Sequence, residues 1–144
     1  MLDGFNHTHA INVRFKDIDV LGHVNNAVIL TYVESARVPF LVALDIRSPR
    51  AGVGDIAFIV AHINCDFRQP IFYGQKVEVG TRVSRIGKTS LRLDHRVEAD
   101  GELAAEGYCV LVHFDYATQK STPVTPEMVR KIEAFEGKKL GAAA

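Results

Sequence analysis

Hydrophobic positions change period several times along the chain, and each change marks an element. From Ala10 to Phe15, Ile11, Val13 and Phe15 alternate with polar neighbours, the two-residue period of a first strand. Lys16–Val24 loses the alternation and carries two aspartates, a glycine and a histidine, so it reads as a loop. Beyond it Ile29, Val33, Ala36, Phe40 and Leu44 recur at intervals of four, three, four and four, one stripe of a long helix. Asn25 or Asn26 can cap its start with a side-chain oxygen. Pro39 interrupts the stripe, frees the carbonyl of Ser35 and predicts a kink or an early end.

Four strands are predicted after the loop Arg47–Asp55. Ile56–Phe67 presents Ala57, Ile59, Ala61, Ile63, Cys65 and Phe67 on one face, and the other face turns polar at His62, Asn64 and Asp66. A strand buried on one side throughout and on the other for half its length fits that pattern. Lys76–Ile86 and Thr89–Ala99 follow, with Val77, Val79, Val83 and then Leu91, Leu93, Val97 turned inward. Asp100-Gly101 is a two-residue hairpin signal, and Gly107 within Glu102–Asp115 marks a bulge or a close backbone approach. Thr125–Glu136 reads as a short helix capped by Thr125 with Pro126 in its first turn, and Gly137–Ala144 as a frayed tail. This order predicts an α+β fold, an antiparallel sheet of about five strands with one long helix on one face.

Composition narrows the picture. The 144 residues fit one domain, 1–144. Lys plus Arg and Asp plus Glu both number 17, so there is no basic excess of the kind a nucleic-acid partner selects. Cys65 and Cys109 lack CxxC spacing and read as buried free thiols, and MLDGFNHTHA carries no secretory pattern, so the expected location is cytoplasmic. No apolar run approaches the ~18 residues that span a membrane.

Candidate chemistry concentrates between the first strand and the long helix, in Asp17-Ile18-Asp19-Val20-Leu21-Gly22-His23-Val24-Asn25-Asn26. A carboxylate, a flexible glycine and a helix N-terminus share one short turn. Free N–H groups of a first helical turn can stabilise an oxyanion, and a facing carboxylate can attack an acyl carbon or activate water. The same residues also suit a plain capped loop.

Asp19-x-x-Gly22-His23-Val24-Asn25-Asn26, followed by Tyr32-x-Glu34-x-Ala36-Arg37, resembles the 4-hydroxybenzoyl-CoA thioesterase-like family of hot-dog-fold proteins, in its acyl-CoA thioesterase branch with a G-H-V-N-N loop. Asp66-Phe67-Arg68-x-Pro70-Ile71 and Asp100-Gly101 are also similar to that family. The resemblance covers about residues 10–126. It implies a sheet wrapped on a central helix, homodimers or homotetramers joined by sheet edges, and active sites at the dimer interface. It implies hydrolysis of an acyl-CoA thioester with no cofactor and no metal. Asp19 matches the family's catalytic carboxylate, and the backbone amide of Asn26 matches its oxyanion donor. Gly22 and Asn25 then line the substrate site, and His23 supports the loop. Asp17 competes with Asp19, or else partners Arg14 or Lys16. A hot-dog hydratase or dehydratase and a non-catalytic acyl-CoA-binding protein remain as alternatives.

Coenzyme A carries phosphates, and Arg85, Lys88 and Ser90 around the turn Gly87-Lys88 suit them. His7 and His9 point to one side of an extended chain without a third ligand, and read as solvated. His62, His95 and His113 read as satisfied, half-buried strand histidines.

Overall fold

A computed structural model of the protein describes residues 2–47 and 56–141, so the predicted loop lies outside the described residues from position 48 to 55. The alternating segments form β1 (His7–Ile11), β2 (Ile56–Ile63), β4 (Val77–Ile86), β5 (Ser90–Ala99) and β6 (Glu102–Asp115). They pair antiparallel in the order β1-β4-β5-β6-β2. Two short strands, β3 (Asp66–Phe67) and β7 (Lys120–Ser121), add to β6. The helix α1 (Asn26–Ala43) lies across the inner face, and α2 (Pro126–Glu136) closes the far end. This is the expected α+β hot-dog arrangement of a curled sheet on a central helix.

Inward positions build the core in two groups. Ile29, Val33 and Ala36 of α1 pack with Val77, Val79 and Val97 at one end of the sheet. Phe40 and Leu41 pack with Val83, Leu91, Leu93, Leu111 and Ile132 of α2 at the other. Fully burying each large side chain contributes roughly 1.5–3 kcal/mol, so both groups fasten α1 to the sheet.

Several boundaries depart from the sequence reading. The first strand is His7–Ile11, not Ala10–Phe15, and Phe15–Asp17 forms one 3-10 turn. The alternation continues backwards through His9 to His7, whose inner-facing ring packs against Phe40 with centroids 5.5 Å apart. His7 is thus a strand residue and not a solvated terminal one. Pro39 does not end α1 early: the helix runs on to Ala43, and Ser35 lies on its exposed side, where solvent can take the freed carbonyl. The predicted strand Ile56–Phe67 is two strands. Pairing slips between Val60 and His62, and Val60, Ile63 and Phe67 stay exposed on this edge. The tail is held as far as Gly141. Glu133 accepts from the N–H groups of Leu140 and Gly141, and Ile86 N–H donates to the Leu140 carbonyl.

The break between β2 and β3 has a local cause. Asn64 N–H donates to the Tyr108 carbonyl at 3.0 Å, and Tyr108 N–H donates to Asn64 Oδ1 at 3.1 Å. This lays Asn64 directly on Gly107, where any Cβ would collide with the Asn64 main-chain carbonyl. Gly107 is therefore the close approach its residue type suggested. Gly107→Ala is expected to destabilise the fold by about 1–3 kcal/mol, the range of an overpacked contact. Urea unfolding should show a lower midpoint with an unchanged slope.

Candidate active site

The turn that follows β1 is organised around Asp17. Its carboxylate is buried, 2% exposed, and accepts from Arg14 N–H at 3.0 Å, Arg14 Nη2 at 3.2 Å and the Tyr32 hydroxyl at 2.6 Å. Its carbonyl also accepts from Asn25 N–H at 3.0 Å. One residue thus ties the start of the loop, its end and the second turn of α1 together. Burial alone would raise the Asp17 pKa, but the hydrogen bonds from Tyr32 and Arg14 outweigh it and hold the carboxyl below its ordinary range. The partnership with Arg14 was legible in sequence, and the one with Tyr32 was missed. Its signal was present: Tyr32 stands three residues after Ile29 on the buried stripe, and a buried phenol needs an acceptor.

Asp19 sits on the rim of the same turn. Asp19 N–H donates to the His23 carbonyl, Gly22 N–H donates back to the Asp19 carbonyl, and Gly22 takes the left-handed φ of 88° that this tight return requires. Asp19 Oδ1 accepts from Leu21 N–H at 2.9 Å, and Oδ2 accepts from the Asn25 side-chain amide at 3.3 Å. Asn25, not Asn26, is the N-cap: its Oδ1 accepts from Ala27 N–H at 2.9 Å. A single side chain therefore spans from the Asp19 carboxylate to the first turn of α1. Asn26 is the first helical residue, and its N–H is a first-turn donor without an intrahelical acceptor. His23 turns Nδ1 toward the neighbouring Val24 carbonyl, 3.2 Å away.

The fold brings Asp19, Gly22, His23, Asn25 and Asn26 into one turn. Arg85, Lys88 and Ser90 lie elsewhere. The loop packs at the Val77 end of the sheet, where Val24 N–H donates to the Ile71 carbonyl, while Arg85 and Lys88 flank Ile86 at the other end of β4. At ~3.3 Å per residue, that strand separates them by about 30 Å. Lys88 borders a groove of about 660 Å³ between the β4–β5 turn and α2, with Ile86, Val124, Val129 and Arg130. Around Asp19 the surface is apolar: Phe15, Val20, Leu21, Phe72 and Tyr73 are exposed, Val20 completely, and the Phe15 and Tyr73 rings meet edge to face at 5.8 Å. Among the described residues, no three His, Cys, Asp or Glu side chains are grouped to hold a metal, and no helix is long and apolar enough to cross a membrane.

This turn, set against a helix that a sheet wraps, defines a class of protein. A family model for the thioesterase-like superfamily matches residues 13–132, and the chain belongs to that superfamily. It is 30% identical over 125 residues to the long-chain acyl-CoA thioesterase FadM of Escherichia coli, covering 85% of this chain and 94% of that protein. Among solved structures, a thioesterase from Thermus thermophilus, in complex with coenzyme A and Zn, superposes with a TM-score of 0.85. It is 39% identical and is covered completely, against 96% of this chain. A 1,4-dihydroxy-2-naphthoyl-CoA hydrolase of Synechococcus elongatus is 23% identical over 82% of this chain and 88% of its own length. The protein is a thioester hydrolase.

The Asp17 clamp makes a stability prediction. A carboxyl with a depressed folded-state pKa contributes stability above its unfolded value of about 3.9, and that contribution is lost as pH falls through the folded value. Wild-type stability should therefore decline below about pH 4. Tyr32→Phe removes a hydrogen bond to a charged group, so it should cost about 1.5–3 kcal/mol at pH 7 and flatten the acid decline. Denaturant midpoints measured from pH 7 down to pH 3 check both.

Proposed function

We propose that this chain hydrolyses acyl-CoA thioesters, with Asp19 as the catalytic carboxylate and the Asn26 backbone N–H as the oxyanion donor. The observation that carries the reading is the Asn25 side chain, which donates to Asp19 and caps the helix whose first residue is Asn26. Carboxylate and donor are thereby tied through one side chain at the same exposed turn. Asp19 takes a proton from an attacking water, or attacks the carbonyl carbon itself to form a mixed anhydride that water then opens. In either route the carbonyl oxygen gains charge facing the helix N-terminus, where a fixed N–H is worth most. The C–S bond then breaks, and the thiolate leaves as CoA. The relatives that act on acyl-CoA support the substrate class.

Replacing Asp19 tests the role. Asp19→Ala leaves the donor in place, so residual activity should remain while kcat falls by at least ~10²-fold, the usual worth of a general base. Binding of a non-hydrolysable acyl-CoA analogue should hardly change. Retained kcat in folded Asp19→Ala overturns the assignment, and if the protein binds acyl-CoA without ever releasing thiol, the non-catalytic reading replaces it.

The same reading places the CoA phosphates on Arg85, Lys88 and Ser90 of a second subunit. Within one chain these residues are too far from Asp19 to share its ligand. An antiparallel pairing of two β2 edges reverses the direction of the sheet and carries the Lys88 end of one protomer toward the Asp19 end of the other. The exposed apolar edge at Val60 and Ile63, and the apolar rim around Asp19, favour such burial. Light scattering should therefore give a dimer or tetramer. Arg85→Ala with Lys88→Ala should raise KM for acyl-CoA and spare kcat, with little effect on a pantetheine thioester. At acyl-CoA well below KM, mixing that double variant with Asp19→Ala after reversible unfolding should restore roughly a quarter of wild-type activity, since half the dimers then carry one intact site of two. No recovery on mixing would place the anchors in cis or remove them from the site.

A further inference from the structure

The zero net charge of the chain conceals an uneven distribution. Arg85, Lys88, Arg130, Lys138 and Lys139 are all exposed around the β4–β5 turn and the C-terminal half of α2, which Ile86 N–H ties together by donating to the Leu140 carbonyl. The acids of α2 nearest to them are taken. Glu136 accepts from Val83 N–H at 2.7 Å, and Glu133 accepts from the N–H groups of Leu140 and Gly141 and has Lys139 beside it. Lys131 is held by Asp45 and Glu127. The Arg130 side chain, one residue earlier on the same helix, has no hydrogen bond or ion pair among the described residues, and neither have those of Arg85 and Lys88.

The groove of about 660 Å³ lies between two of these free cations. Lys88 borders it on the side of the turn and Arg130 on the side of the helix, and Ile86, Val124, Pro126 and Val129 line it with apolar surface. The turn and the approach to α2 are fixed to each other, since Val124 N–H donates to the Lys88 carbonyl at 2.9 Å. The volume falls within the ~300–1,000 Å³ of clefts that take small ligands. An apolar cleft between unpaired cations favours a ligand that joins a flat, largely apolar group to anionic ones. A simple anion gains nothing from the apolar residues, and an acyl chain gains nothing from a guanidinium. An acidic protein surface engages the cations and leaves the cleft unfilled. A nucleobase bearing phosphates uses both.

We infer that this groove is the subsite for the adenosine 3′-phosphate end of coenzyme A, and that Arg130 selects for the 3′-phosphate. The inference rests on the acyl-CoA reading above and adds to it a specificity determinant on α2. The order of groups along the ligand fits the place. With the diphosphate on Arg85, Lys88 and Ser90, the molecule continues past Lys88 with the ribose and its 3′-phosphate and ends in adenine, and the groove begins at Lys88. Adenine lies against Val124, Pro126 and Val129, and the 3′-phosphate meets Arg130, whose planar guanidinium donates two parallel hydrogen bonds to such a group.

Two substrates test the subsite: an acyl-CoA, and the same acyl thioester of 3′-dephospho-CoA. A hydrogen bond to a charged group is worth about tenfold or more, so wild-type KM should be about tenfold higher for the dephospho substrate, with kcat alike. Arg130→Met keeps most of the aliphatic stem. It should raise KM for acyl-CoA about tenfold and leave the dephospho substrate as in wild type, so that the two values converge. Arg130→Lys should restore part of the difference. Lys131→Met removes a cation from the same helix outside the groove and should change neither value. Arg85→Ala with Lys88→Ala should instead raise both KM values together. A titration of the wild-type protein with adenosine 3′,5′-bisphosphate, followed on the methyl NMR signals of Val124 and Val129, needs neither a thioester nor Asp19. The adenine ring current should shift those signals, and pyrophosphate should not. These readouts are independent of the Asp19 test, so retained kcat in Asp19→Ala would remove the catalytic assignment and leave the subsite standing. Equal wild-type KM for the two substrates, a loss in Arg130→Met that falls on both alike, or Val124 and Val129 signals unmoved by the bisphosphate would each overturn the subsite.

Discussion

The buried carboxylate of Asp17 is the constraint on which the candidate site depends. A charged group 2% exposed persists only if its oxygens are fully engaged, and here Arg14 and Tyr32 engage them. Because those partners come from the start of the loop and from the second turn of α1, satisfying Asp17 also determines the path of the residues between. Of the loop's apolar residues only Val24, with Ile18 beside it, reaches the core, and Val20 and Leu21 face outward. Without the clamp only the turn's own hydrogen bonds and Val24 would hold Asp19 beside the helix N-terminus.

The two aspartates show how environment divides labour between identical side chains. Asp17 is turned in and accepts three hydrogen bonds, which suits it to positioning and keeps its carboxylate away from solvent. Asp19, two residues on, accepts one backbone N–H and one amide N–H and remains open to solvent. Only the second has the access that acyl chemistry needs. Asn25 adds the third component, since one short side chain caps the helix and orients the carboxylate together. A cap of this kind is worth ~1 kcal/mol to the helix, and in the proposed reaction it also sets the distance between base and oxyanion donor.

The sheet around this turn solves a different problem. Five long strands curl over one helix and leave β2 as an edge bearing Val60 and Ile63, with more apolar surface around Asp19. A monomer would leave that surface and a row of unpaired backbone groups in water. The proposed second subunit covers both, and it also explains why the basic residues suited to CoA stand at the opposite end of the sheet from Asp19. Gly107 under Asn64 belongs to the same geometry, a place where two backbones come unusually close.

Local pattern determined the elements. Two-residue alternation placed β4, β5 and β6 almost to the residue, the apolar stripe placed α1, and Asp100-Gly101 and Thr125-Pro126 marked a hairpin and a helix start, because each depends on neighbours a few residues away. The Asp19–Asn26 motif and the resemblance it carried were equally legible. What the sequence could not decide was set by contacts between distant segments. Ile56–Phe67 reads as one strand, yet it breaks at Asn64 because Gly107, over forty residues away, accepts that side chain against its backbone. Asp17 and Asp19 are chemically alike in sequence, and only the Tyr32 hydroxyl arriving from α1 tells them apart. His95 reads as a half-buried strand histidine. Only the register that sets it between Thr81 and Gly107 buries it fully.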